Sequence, residues 1–164
     1  MKRFDTGLSL AENALFVLGC VALAIMAVLI NADILGRSLF RMPLQIQFEL
    51  VERYLMPAVA VLPLSKVYRD GGHLAIEFIG PKTFGRFWPF VRAVMLLSAA
   101  AFFGAMTFMS GRFAAEAFIH GRVYFGIVDW PLGWAYSTVP AGCAVLTVRL
   151  LYELTKRGAK SAPD

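Results

Sequence analysis

Residues 14–32 read ALFVLGCVALAIMAVLINA, a run without one charged side chain, and this stretch decides the class of fold. About 20 apolar residues suffice for a helix to cross a hydrocarbon core of roughly 30 Å at 1.5 Å per residue. Residues 93–111 and 130–148 are equally free of charge. A fourth run is weaker, because the apolar sequence that begins at Tyr54 meets Lys66 too soon to span. That helix must reach back through Phe48 and take Glu49, Glu52 and Arg53 with it. With 59% hydrophobic and 16% charged residues and a mean hydropathy of +0.65, the chain is far more apolar than a soluble core of 164 residues requires. The expected fold is an all-α membrane protein. Four transmembrane helices, over 10–37, 44–68, 91–118 and 130–156, form a single domain spanning 1–164, because nothing between them is long enough to bury a core of its own.

The short connections set the expected orientation. Lys2 and Arg3 precede helix 1, and Arg37 and Arg41 follow it. Lys66, Arg69, Lys82, Arg86 and Arg92 lie between helices 2 and 3, Arg112 and Arg122 lie near the third connection, and Arg149, Lys156, Arg157 and Lys160 lie towards the end. Placing both termini in the cytoplasm puts most of these bases inside, as basic loops prefer. The net charge of +5 then belongs to anionic lipid headgroups and calls for no nucleic acid. Lys2 and Arg3 before an apolar run resemble a secretory signal, but the run is longer than such signals carry and reads as an uncleaved anchor. Between helices 2 and 3, Asp70-Gly71-Gly72 breaks the chain. Over 73–90, Phe78, Phe84, Phe87, Trp88 and Phe90 then alternate with Lys82 and Arg86, the pattern of an interfacial amphipathic segment broken at Gly80-Pro81 and near Pro89. Trp130, Trp134 and Tyr136 suit an aromatic belt on the outer side.

Ionisable groups are costly in a bilayer and mark the places to look for function. Asp33 precedes Arg37 by four residues and Glu49 precedes Arg53 by four, the favourable order for a pair on one helical face. Both pairs flank the short turn around Pro43, so Arg37 can equally pair across it with Glu49 or Glu52. Glu52 has Met56 at its own i+4 position and is the residue that asks for an outside partner. A proton- or cation-coupled carboxylate is the sharper alternative, but such sites lie near the midplane on discontinuous helices. Pro57 and Pro63 do interrupt helix 2, which is common in membrane helices.

Other chemistry finds little support. His73 and His120 fall on opposite sides of the membrane, unlike paired haem ligands within a bundle. Cys20 and Cys143 sit in helices 1 and 4 with no metal-ligand spacing around them, and read as packing residues. No nucleophile, base and oxyanion set can be assembled, so no enzyme, cofactor or metal is expected. Gly104, Ala105, Ser110 and Gly111, with Ala141, Gly142 and Ala144, offer close-approach surfaces for packing inside the chain or against a partner.

The order of these features resembles a known family, the four-helix, DctQ-like small permease subunit of TRAP (tripartite ATP-independent periplasmic) transporters. The resemblance lies in Asp33-Ile34-Leu35-Gly36-Arg37, in Pro43-Leu44, and in Phe48-Glu49-Leu50-Val51-Glu52-Arg53-Tyr54-Leu55. It continues in Tyr68-Arg69-Asp70-Gly71-Gly72-His73-Leu74-Ala75-Ile76-Glu77 and in Trp130-Pro131-Leu132-Gly133-Trp134-Ala135-Tyr136. Val139-Pro140-Ala141-Gly142 and Arg149-Leu150-Leu151 complete it. The chain departs from the family pattern at Val123-Tyr124-Phe125-Gly126, in place of a serine-proline turn, and at Ile46, where tryptophan is frequent. The resemblance implies a multi-pass subunit of the bacterial inner membrane that carries no transport site. A large permease would hold the substrate and sodium sites and a periplasmic substrate-binding protein would deliver an organic acid. This subunit would scaffold the permease and help dock the binding protein. Arg37, Glu49, Glu52, Arg53, Arg69 and His73 match motif positions and become the candidate partner-interface or structural polar residues. Two other classes compete, a small stand-alone multidrug-type antiporter and the membrane anchor subunit of a respiratory enzyme. The first needs a carboxylate deep in helix 1, whereas Glu12 stands at its very start; the second needs histidines placed for haem, or a quinone site.

Overall fold

The computed structural model describes residues 2–40, 45–71, 87–125 and 129–158. Helix α1 (Lys2–Phe40) is a continuous 39-residue helix. The chain's first proline is Pro43, so every residue of α1 keeps the amide proton that the helical ladder needs. A second helical run follows in pieces: α2 (Gln45–Leu50), a π-helical turn (Val51–Leu55), α3 (Met56–Val61) and α4 (Leu64–Arg69). Proline explains the segmentation. Pro57 stands in the first turn of α3, where its ring would strike the carbonyl of the preceding α-turn. The wider π-turn makes room, and the Met56 amide reaches back to the Val51 carbonyl. Pro63 stands at the N-cap of α4, at the break between α3 and α4.

Helix α5 (Trp88–Ile119) has 32 residues and begins with Pro89 in its first turn, where a missing N–H costs nothing. The proline therefore opens a helix at the place where the sequence pattern suggested a break. The rest of the expected interfacial segment, 73–86, lies outside the described residues. Gly121, at φ 54°, closes α5. Its amide bonds to the Phe118 carbonyl at 3.3 Å and the Arg122 amide bonds to the Ala117 carbonyl at 2.9 Å, the pair of bonds that defines a Schellman cap. Gly71, at φ 75°, follows α4, and its amide bonds to the Tyr68 carbonyl at 3.2 Å.

Between α5 and the last helix stands a small hairpin, which interrupts the otherwise helical architecture. Strands β1 (Val123–Phe125) and β2 (Asp129–Pro131) pair antiparallel, with Tyr124 opposite Trp130. Val123, Tyr124 and Phe125 suit a strand by their branched and aromatic side chains. Helix α6 (Leu132–Gly158) therefore starts after Trp130 and Pro131, not at them.

Helices α5 and α6 form an antiparallel pair with a regular seam. Gly104 faces Thr147, Gly111 faces Pro140 and Gly133 faces Phe118. Each two-turn step along α5 is matched by the same step back along α6, the repeat of left-handed helix pairing. The small residues on this seam thus pack inside the chain. The second run lies between α6 and α1. Gly142 of α6 meets the backbone carbonyl of Val61, and Gly19 of α1 meets the ring of Pro63. Ala22, Leu55, Ala58 and Leu62 bury the α1 contact, and Ala100, Leu146 and Leu150 bury the α5–α6 contact. Most large apolar side chains point outward instead, including Phe102, Phe108 and Phe113 on α5.

Among the described residues two stretches are long and apolar enough to cross a membrane, Asp5–Leu39 and Phe90–Ile119, and only 11% and 6% of their most apolar windows are buried within the chain. The second run is divided by its prolines into short helices, and the last part of α6 carries Arg149, Glu153, Lys156 and Arg157, so neither shows an equally long apolar helix.

Candidate functional site

The second helical run carries a polar group at each end. At its N-terminal end, the π-turn decides where the charged side chains go. An i, i+4 pairing of Glu49 with Arg53 presumes a regular α-turn, and the wide turn at Val51–Leu55 alters that register. Glu49 accepts a hydrogen bond from the Trp130 indole N–H at 3.1 Å. The Arg53 guanidinium lies 3.6 Å over the ring of Tyr124, and its buried Nε has no hydrogen-bond acceptor. Tyr54 donates its hydroxyl to the Pro131 carbonyl at 2.6 Å and packs its ring on Trp130. These contacts clamp the hairpin onto the run, and Trp130 serves as part of that clamp. Trp134 remains exposed and meets Phe118 edge-on.

Arg37 is held by Asp33 at 2.7 Å and lies over Phe48. Asp33 and Gln47 are buried, whereas Glu52 is exposed. Among the described residues Glu52 makes no hydrogen bond or ion pair. All four polar residues line a groove of about 520 Å³ between α1 and the run, with apolar walls. His73 lies outside the described residues.

The opposite end of the run holds a network built around Glu12. This carboxylate is fully buried. It accepts hydrogen bonds from Ser65 Oγ at 2.9 Å and from Arg69 Nη1 at 2.8 Å, and Arg149 Nε stands 3.7 Å away. Arg69 also donates to Asn13, and Arg149 donates to Asp5 at 3.2 Å. Tyr68 donates to Glu153 at 2.5 Å. One anionic centre thereby joins α1, α4 and α6. In the turn after α4, slight desolvation works to raise the Asp70 carboxyl, but hydrogen bonds and charge from Lys66 and Arg69 outweigh it and hold the group below the usual carboxylate range. Its contribution is present at neutral pH and is lost as pH falls through that depressed range.

Of the sequence candidates, Arg37, Glu49, Glu52 and Arg53 gather at one end and Arg69 stands at the other. Reading the sequence missed Glu12, Ser65 and Arg149. Glu12 and Arg149 each interrupt an apolar pattern, which is the signal that could have found them; their mutual contact depends on a register between helices far apart in the chain.

The hairpin clamp makes a testable prediction. Trp130→Phe removes the indole donor from Glu49 and should cost about 1.5–3 kcal/mol, the range for hydrogen bonds to charged groups. Glu49→Gln keeps an acceptor and should cost less. Thermal unfolding of both variants in detergent checks this order, and a reversed order contradicts the clamp.

Chemically, the arrangement positions helices and presents a charged groove. Among the described residues no cluster of His, Cys, Asp and Glu has the makings of a metal site. Cys20 and Cys143 are both free thiols. A comparison with protein families matches residues 26–158 to the DctQ component of tripartite ATP-independent periplasmic transporters. Comparisons with curated proteins and with solved structures give no match. A family match over most of the chain, carried on a helical fold with outward-facing apolar helices, identifies the protein as a member of the DctQ family, the small membrane subunit of a TRAP transporter and not an enzyme.

Proposed function

We propose that this subunit crosses the bacterial inner membrane four times with both termini in the cytoplasm. In this reading it scaffolds the large permease and helps dock the periplasmic binding protein during sodium-coupled uptake of an organic acid. The contact of Glu12 with both Arg69 and Arg149 supports the topology, because it brings the start of α1 and the later part of α6 to the same end of the molecule. The hairpin lies at the other end, on the side assigned to the binding protein.

The observation that carries the scaffold role is the inequality between the two ends. At the Glu12 end the charges are neutralised within the chain, as buried charges must be. At the groove end Glu52 faces outward beside the orphaned Gln47 amide oxygen. Arg37 shares that face, Glu49 and Arg53 hold the hairpin beside it, and Arg69 braces the fold. A stand-alone multidrug-type antiporter would need an accessible carboxylate deep in its first helix, and Glu12, near the start of α1, is fully buried between two guanidinium groups.

Glu52→Gln should therefore weaken co-purification with the large permease about tenfold. Glu116→Gln, which disturbs only the exposed Arg112 pair, should leave it unchanged. Equal recovery of both variants would remove Glu52 from the interface.

A further inference from the structure

The groove between α1 and the second run has a charge balance that specifies its occupant. Asp33 and Arg37 offset each other at 2.7 Å. That leaves the Glu52 carboxylate without a counter-charge among the described residues, and Gln47, only 8% exposed, with an amide oxygen that no donor reaches. Both groups accept hydrogen bonds, and both stand on walls that expose Ile34, Phe48 and Met56. The site thus asks for one positive charge with several donors, delivered on an apolar body.

We infer that the groove receives a lysine or arginine side chain projecting from an apolar membrane helix of the large permease, which pairs with the exposed Glu52 carboxylate beside the buried Gln47 amide. The inference rests on the scaffold reading above. Arginine suits the position best, with five donors and no acceptor. A second copy of this chain would set a patch of the same net negative charge against this one, because a two-fold interface sets a patch against itself. A zwitterionic lipid would bring its phosphate next to its amine, and so an anion towards Asp33 and Glu52. In a bilayer, close packing and interhelical hydrogen bonds are what hold helices together, so a satisfied charge here fixes the register of the two subunits as well as their affinity.

The test uses the full subunit co-expressed with its permease, carrying a photoreactive amino acid in place of Met56 or Ile34. Cross-linking in membranes, followed by mass spectrometry, should identify a permease transmembrane peptide that contains Lys or Arg. Glu52→Arg should lower that adduct at least tenfold while leaving the unfolding temperature of the isolated subunit unchanged. Exchanging the identified base for Glu should restore the adduct. Adducts on lipid, on a second copy, or on a permease peptide without a base overturn the inference, and so does a charge exchange that restores nothing. If the unmodified chain fails to co-purify with the permease at all, the scaffold reading falls and takes this inference with it; co-purification with the wrong adduct overturns the inference alone.

Discussion

Replacing Glu12 with alanine should destabilise the fold by about 3–5 kcal/mol, the range for removing one member of a buried ionic group. The reason is the charge left behind. Glu12 is the shared acceptor for Ser65 and Arg69 and the nearest anion to the Arg149 Nε, which already lacks a hydrogen-bond acceptor. Without the carboxylate, the two guanidinium groups at the α1–α4–α6 junction keep, among the described residues, ion pairs with the exposed Asp70 and the half-exposed Asp5 alone. Glu12→Gln keeps the acceptor oxygen for one donor and loses the charge, so it should fall between the wild type and alanine. Tryptophan fluorescence during thermal unfolding in detergent orders the three proteins. An alanine variant as stable as the wild type would mean that the network is ornamental.

Gly142→Val should be comparably severe for a steric reason. A Cβ at this position would lie 2.6 Å from the backbone oxygen of Val61 and 2.9 Å from its carbonyl carbon. A flexible side chain could swing aside, but backbone cannot, so α6 and the second run must separate. Overpacking a well-filled contact usually costs about 1–3 kcal/mol, and the branched valine should reach or exceed the upper end. Gly104→Ala provides the control, since its added Cβ would meet only the Thr147 methyl, at an ordinary 3.7 Å. The measurement is the yield of monodisperse subunit together with its unfolding temperature. Equal losses for the two variants would contradict the proposed crossing.

Helical character and the long apolar runs were legible because hydrophobicity along one chain reports burial in lipid without any knowledge of neighbours. The family was legible through motifs in order, with the Glu49 to Arg53 stretch at their centre. Local geometry was harder. The i, i+4 spacing of Glu49 and Arg53 is a statement about an α-turn, and the proline at position 57 replaces that turn with a wider one. The hairpin at Val123–Phe125 was visible only as a departure from the expected turn, and Trp130, which suits a lipid interface by type, is drawn under Tyr54 by the acceptor at Glu49. Glu12 was set aside because of its place at the edge of an apolar run. What makes it central is two arginines on other helices, 57 and 137 positions further along the chain. No local pattern encodes that meeting.

A subunit that supports transport without performing it should be needed for uptake and unable to drive uptake by itself. The most direct measurement is uptake into proteoliposomes under an inward sodium gradient, using the radiolabelled ligand that the cognate binding protein retains. With permease, binding protein and this chain together, uptake is predicted. Omission of this chain should reduce it at least tenfold, and the chain alone should give none. Sodium-driven uptake by the chain alone, or undiminished uptake without it, would contradict the account.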